Sequence, residues 1–189
     1  FIESTFDDFS QQRCGLARPT MPLPMLLTGQ AVREVNTSTL KKLAMRGCSI
    51  NDTGCQYMCS ALLSHANCTS GLTELDLWGN SISGIGADAL ADCLTINPYL
   101  TKVDLRSNRC GDTGAIEFGK MLKLNRTLLH LELSNNSIGD EGCAVLSEGL
   151  AVNSNLVTCN LGGNRISAKG AAMITRAMKA NSRLRNGID

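Results

Sequence analysis

The stretch Leu128-Leu129-His130-Leu131-Glu132-Leu133-Ser134-Asn135-Asn136-Ser137-Ile138-Gly139-Asp140-Glu141-Gly142 decides the fold, because it recurs. Leu128, Leu131, Leu133 and Asn136 are matched 28 residues upstream by Leu100, Val103, Leu105 and Asn108, and before those by Leu72, Leu75, Leu77 and Asn80. Downstream the same columns hold Leu156, Cys159, Leu161 and Asn164, and a further copy opens at Leu184. A looser copy, Leu40, Leu43, Met45 and Cys48, precedes the series by 32 residues. A fixed period of this size marks a solenoid of strand–helix units, each burying its apolar face against its neighbours.

Within one unit the central residues alternate, so Leu131 and Leu133 point inward while His130, Glu132 and Ser134 point outward. Asn136 follows at the turn, where its amide can bond backbone groups that the turn leaves unpaired. The helix-start column reads Asn51, Ser83, Gly111, Gly139 and Ser167, all residue types suited to an N-cap. Asp140 and Glu141 then lie near the positive end of their helix. A strict column of Gly54, Gly86, Gly114, Gly142 and Gly170 stands where an ordinary helix prefers Ala, and predicts close approach to the adjacent repeat. Helical spacing buries Leu90 with Leu94, Phe118 with Leu122, Leu146 with Leu150 and Ile174 with Met178. Asn97, Asn125, Asn153 and Asn181 end the helices and suggest left-handed terminal turns.

The bulk composition fits this reading. Hydrophobic residues make up 43% and aromatic residues only 4%, so the core must be aliphatic. A formal charge of +1 lacks the basic excess of a nucleic-acid binder and gives no case for an anionic membrane. Cys159 takes a core leucine position and Cys110 takes the place of Ile82 and Ile138, so the nine cysteines read as small buried hydrophobes, not a disulfide framework. The odd number points to a reducing, cytoplasmic compartment. Cys55 and Cys59 lie one helical turn apart but lack a matching pair, which favours packing over metal binding. No cofactor is implied.

Two segments interrupt the pattern. Residues 1–39 show no repeat, and their opening run from Phe1 to Phe9 is suited to cap the solenoid. Residues 40–189 form the repeat domain, which breaks off just after Leu184 opens a new copy and so reads as truncated there. Between the first two repeats the extra residues around His65 predict a longer loop.

The stretch from Leu128 to Gly142 resembles the leucine-rich repeats of the ribonuclease-inhibitor class, and the resemblance extends from about Leu40 to Asp189. That class includes ribonuclease inhibitors, ligand domains of NOD-like receptors, the GTPase-activating protein of Ran, tropomodulins and ciliary proteins. The resemblance implies an α/β solenoid shaped as a horseshoe, with parallel strands on the concave face and helices on the convex face. A short strand followed by a long helical return also demands parallel pairing. Three equal intervals depart from the alternating repeat types of ribonuclease inhibitors, and no Gly-rich loop ending in Gly-Lys-Ser or Gly-Lys-Thr accompanies the repeats.

The outward strand positions supply the candidate partner-binding residues: Arg46, Glu74, Asp76, Trp78, Lys102, Asp104, Arg106, His130 and Glu132. Asp76, Asp104 and Glu132 fall in one column, with neighbouring strands about 4.8 Å apart. Their mutual repulsion predicts a protein partner with a basic patch. Trp78, the single tryptophan, lies between Arg46 and Arg106, as an interface anchor or as a ring packed on their stems. His130, Glu132 and Ser134 share a strand without oxyanion donors, so the surface predicts no enzyme. The leading expectation is a protein-interaction domain that binds through the concave face and rim, not a small-molecule receptor. Alternatives are a regulator of a small GTPase or a NOD-like sensing domain, and a structural component of a ciliary or cytoskeletal assembly.

Overall fold

The computed structural model describes residues 41–64 and 71–184, which carry five strand–helix units. In chain order these are β1 (Lys42–Ala44), α1 (Asp52–Ser64), β2 (Glu74–Asp76), α2 (Gly84–Ile96), β3 (Lys102–Asp104), α3 (Gly111–Leu124), β4 (His130–Glu132), α4 (Asp140–Val152), β5 (Thr158–Asn160) and α5 (Ala168–Ala180). The proposed N-terminal cap, the loop around His65 and the segment after Leu184 lie outside the described residues.

The strands form one parallel sheet in the order β1-β2-β3-β4-β5. Its register places Leu43, Leu75, Val103, Leu131 and Cys159 opposite one another, so each sequence column becomes a physical row across the sheet. The result is the open α/β horseshoe expected from the repeat, with the helices packed alongside the sheet. Between the two layers, the leucine columns and the helix residues Leu90, Phe118, Leu122, Leu146 and Ile174 are all but fully buried. Cys110, Cys143 and Cys159 are buried among them, as expected of small apolar side chains.

Two asparagine ladders satisfy the backbone where the chain turns. Asn108 donates through Nδ2 to the carbonyls of Leu77 and Leu105 at 2.9 Å each, and its Oδ1 accepts from Ile82 N–H at 3.1 Å. Asn80, Asn136 and Asn164 repeat this arrangement, each bonding its own turn and the preceding repeat. Buried amides are tolerable here because their donors and acceptors are met.

The second ladder, Asn97, Asn125, Asn153 and Asn181, corrects an expectation. Its first three members have φ between −69° and −64° and ψ between 121° and 138°, extended backbone rather than left-handed turns, and Asn181 is also extended. Asparagine is used for its side chain instead. Asn153 Oδ1 accepts from Asn155 and Leu156 N–H, while Nδ2 crosses to the carbonyls of Leu122 and Asn125 in the preceding repeat. The left-handed positions lie elsewhere: in the turn after each strand at Gly47, Gly79, Ser107, Asn135 and Gly163, and nearer the helix starts at Ser49, Gly111 and Ser137.

The glycine column behaves as expected at Gly86, Gly114, Gly142 and Gly170, whereas a Cβ on Gly54 would meet only Ile50 and Asn51 of its own repeat among the described residues. A Cβ on Gly142 would stand 2.7 Å from Asp112 Oδ1 and 2.8 Å from Ala115 Cβ, both in the preceding helix. The helix starts follow the sequence reading except in α3. There Cys110, not Gly111, is the cap; it adopts helical angles and gives no side-chain bond. Among the described residues no helix is long and apolar enough to cross a membrane.

Candidate concave-face interface

Each candidate residue sits on one of the short strands or in the turn that follows it, so the sheet register brings the set into neighbouring rows. In the first row Lys42 faces Glu74, and Glu74 faces Lys102. Lys42 Nζ reaches Glu74 at 3.8 Å, a solvent-exposed pair of small energetic worth. Lys102 is exposed. His130, half-buried in the same row, has Nδ1 2.9 Å from Thr158 Oγ1. Ser134, on which a hydrolytic set would depend, is buried.

The second row overturns the electrostatic expectation. Asp76 and Asp104 point to the outer side of their strands but are each only 4% exposed. Asp76 Oδ2 lies 2.6 Å from both Nε and Nη2 of Arg46, on the adjacent repeat. Asp104 takes a forked pair from Arg106, with Nε at 3.0 Å and Nη2 at 2.6 Å. Backbone donors complete the set: Trp78 N–H donates to Asp76 at 3.3 Å and Arg106 N–H to Asp104 at 3.0 Å. Asn160 holds Gly162 N–H in the same way at 2.9 Å. These side chains close the turn two residues ahead, an Asx arrangement. The carboxylates are therefore neutralised from within, and the row does not present three unmet charges to a basic partner. Glu132 differs: it is half-buried and forms no ion pair among the described residues.

Burial of Asp104 favours its neutral form, but the hydrogen bonds and charge of Arg106, helped by Arg46, hold it below the ordinary carboxylate range. The hydrogen bond to Asp76 raises the Arg46 guanidinium and that to Asp104 raises the Arg106 guanidinium, so the arginines stay charged under all ordinary conditions.

The third row, in the turns after the strands, is Arg46, Trp78 and Arg106. Trp78 is 44% exposed. The Arg46 guanidinium carbon lies 5.8 Å from its ring centroid, within cation–π range. The indole Nε1–H donates to Ser107 Oγ at 3.2 Å, and Ser107 holds a φ of 56° to stand in that turn. Arg46, Trp78 and Arg106 are thus brought together as one exposed patch. The geometry shows the packing reading of Trp78, which lies against Arg46 while its ring stays 44% exposed.

A second surface was not singled out by sequence. Ile96, Leu124 and Val152, the last residues of α2, α3 and α4, are 68%, 66% and 61% exposed. They share one repeat column, so they form an apolar line along the helix ends. Their equal spacing of 28 residues was the available signal.

The comparisons agree with the architecture. A family model described as Leucine Rich repeat matches residues 37–59, 97–119, 124–147 and 152–174, and a second, Leucine Rich Repeat, matches 71–93. No curated protein matches the chain by sequence. Among solved structures, the actin-binding site 2 of leiomodin-1 is similar with a TM-score of 0.60 at 15% identity, covering 88% of this chain and 91% of that one. The tropomodulin C-terminal domain of Caenorhabditis elegans gives a TM-score of 0.61 at 15% identity, covering 82% and 91%. At that identity the likeness is one of fold. The repeat columns, the parallel sheet that they build and the matched family models together place this chain in the leucine-rich-repeat family.

Proposed function

We propose that this chain is a protein-binding module of the cytoskeletal kind, which engages actin through the strand face and the turns beside it. The observation that carries the reading is the likeness to leiomodin-1 actin-binding site 2 and a tropomodulin C-terminal domain over more than four-fifths of every chain concerned. It favours the cytoskeletal alternative over the more general interaction domain expected from sequence. The strand–helix unit that makes up every described repeat supports a ribonuclease-inhibitor-like subclass.

The Arg46, Trp78 and Arg106 patch is the preferred contact, because exposed aromatic and arginine side chains dominate interface energetics. Glu74, Lys102, His130 and Glu132 form its polar surroundings; Asp76 and Asp104 act beneath it by fixing the two arginines. The test is co-sedimentation with actin filaments, paired with a binding titration against monomeric actin. Wild type is expected to bind one of the two forms. Trp78→Ala should keep the native circular dichroism spectrum and lose about tenfold in affinity, or about 1.4 kcal/mol. Absence of binding to both forms of actin would reject the cytoskeletal reading, and unchanged affinity of the variant would remove Trp78 from the interface.

A further inference from the structure

The ion pairs of the patch are asymmetric in a way that bears on partner chemistry. The Arg46 side chain is 46% exposed and its Asp76 partner 6%; Arg106 is 42% exposed and Asp104 6%. Each pair therefore keeps its anion inside and turns its cation outward. In both arginines the aspartate engages Nε and Nη2, and neither Nη1 has a protein acceptor among the described residues. A guanidinium held in this way retains donors for a second acceptor and has already lost much of its rotamer freedom, so less entropy remains to be lost on binding. Between the two arginines stands the exposed indole of Trp78, itself fixed by Ser107.

From this arrangement we infer that the Arg46–Trp78–Arg106 patch receives an acidic segment of the partner protein, one with a carboxylate side chain beside an apolar or aromatic one. The inference rests on the reading of this face as a protein interface and names the partner chemistry that it selects. The carboxylate takes charge-assisted bonds from the guanidinium edges, and the apolar neighbour covers the indole. This reverses the basic partner expected from the row of carboxylates, because two of those carboxylates are spent on the arginines. Glu132 stands in register next to Asp104 and bounds the patch with negative charge. A nucleic acid is disfavoured, since the chain carries a net charge of only +1 and the patch offers two fixed cations rather than a basic stripe.

The test uses the full chain and three fluorescein-labelled probes: a Glu/Phe-rich dodecapeptide, a Lys/Phe-rich one of the same length and a single-stranded oligonucleotide. Binding is read by polarisation and by the emission of Trp78, the only tryptophan. The acidic peptide should bind best, with affinity falling as salt rises. The paired variant Arg46→Gln with Asp76→Asn leaves no stranded buried charge and keeps the net charge unchanged, so a loss of about tenfold or more reports the patch itself. Arg106→Gln with Asp104→Asn should act alike, and Glu132→Gln should strengthen binding several-fold. Preference for the Lys/Phe peptide, equal binding of the oligonucleotide, or undiminished binding by both paired variants would each overturn the inference. If actin binds wild type and both paired variants equally, the acidic-segment inference fails while the cytoskeletal reading stands. If the acidic peptide binds as expected and neither form of actin does, the reverse holds.

Discussion

Aspartate serves two unrelated ends in this chain, and a few residues of position decide which. At the strand end, Asp104 closes the following turn and clamps Arg106; at the helix start, Asp112 reaches into the next repeat. Alternation along the strand identified Asp76 and Asp104 as outward-facing but could not show that the chain folds back over them. The recurrence of Asp or Asn at 76, 104 and 160, two residues before a left-handed-turn position or its neighbour, was the legible sign of Asx chemistry. A pH consequence follows for Asp104. Burial alone would raise its pKa, but Arg106 and Arg46 lower it below the unfolded value, which is about 3.9. Its contribution to stability is thus fully present above about pH 4 and is lost as pH falls through the folded pKa. Urea midpoints at pH 7 should be lower for Asp104→Asn than for wild type, and the gap should close as the pH falls below about 4. A gap that stays constant over that range would show that the Arg106 pair does not stabilise the fold.

At the scale of the helix, the repeats are joined by carboxylates that cap a neighbour rather than their own element. Asp52 in α1 accepts from the N–H of Ser83, the N-cap of α2, and of Gly86 in that helix, at 2.7 and 3.0 Å. Asp112 in α3 does the same for the N-cap Gly139 and for Gly142 at the start of α4, at 2.7 and 2.9 Å, and Asp140 in α4 for the N-cap Ser167 and for Gly170 at the start of α5, at 2.9 and 3.1 Å. Asp140 stands in the first turn of its own helix, where the sequence placed it, and from there its side chain crosses to the start of the next helix. The glycine column is the other half of the device, because a Cβ on Gly86, Gly142 or Gly170 would collide with the capping aspartate. At α2 the aspartate position is held by Gly84, and a Cβ on it would lie 2.7 Å from Thr113 Cβ. Its successor α3 is the helix that starts early, with Gly111 at a φ of 59° and its N–H donated to Asn136 O at 2.9 Å. Two substitutions probe the ladder. Asp112→Ala should cost about 1–2 kcal/mol, the range of a lost N-cap. Gly142→Ala, which in an ordinary helix would gain up to about 1 kcal/mol, should instead cost about 1–3 kcal/mol through overpacking. Both are read from chemical denaturation, and a stabilised Gly142→Ala variant would mean that the two helices can separate without penalty.

For the whole molecule, the repeat period made the architecture legible because the columns do the same work from unit to unit: leucines fill the core, asparagines bridge to the previous turn, and glycine admits the preceding helix. The binding face had no such redundancy to read, since its character depends on where two arginine side chains lie down. The same one-dimensional construction makes a claim about unfolding. Each unit is held mainly by its neighbours, so stability should be highest in the middle and lowest in the outermost units, which have one neighbour each among the described repeats. The buried thiols report this unit by unit: Cys55 lies in α1, Cys93 in α2, Cys110 before α3, Cys143 in α4 and Cys159 in β5. Burial pushes Cys110 and Cys159 up to about 12 and Cys143 up to about 11, so the folded protein contains almost no reactive thiolate at these positions near pH 8. Half-buried Cys48 should therefore be alkylated first among the described thiols, before any denaturant is added. As urea is raised in pulsed-alkylation mass spectrometry, Cys55 and Cys159 should lose protection ahead of Cys93, Cys110 and Cys143. Simultaneous exposure of all five at one urea concentration would instead mean that the inter-repeat asparagine and aspartate ladders couple the units so tightly that the solenoid unfolds as a single cooperative body.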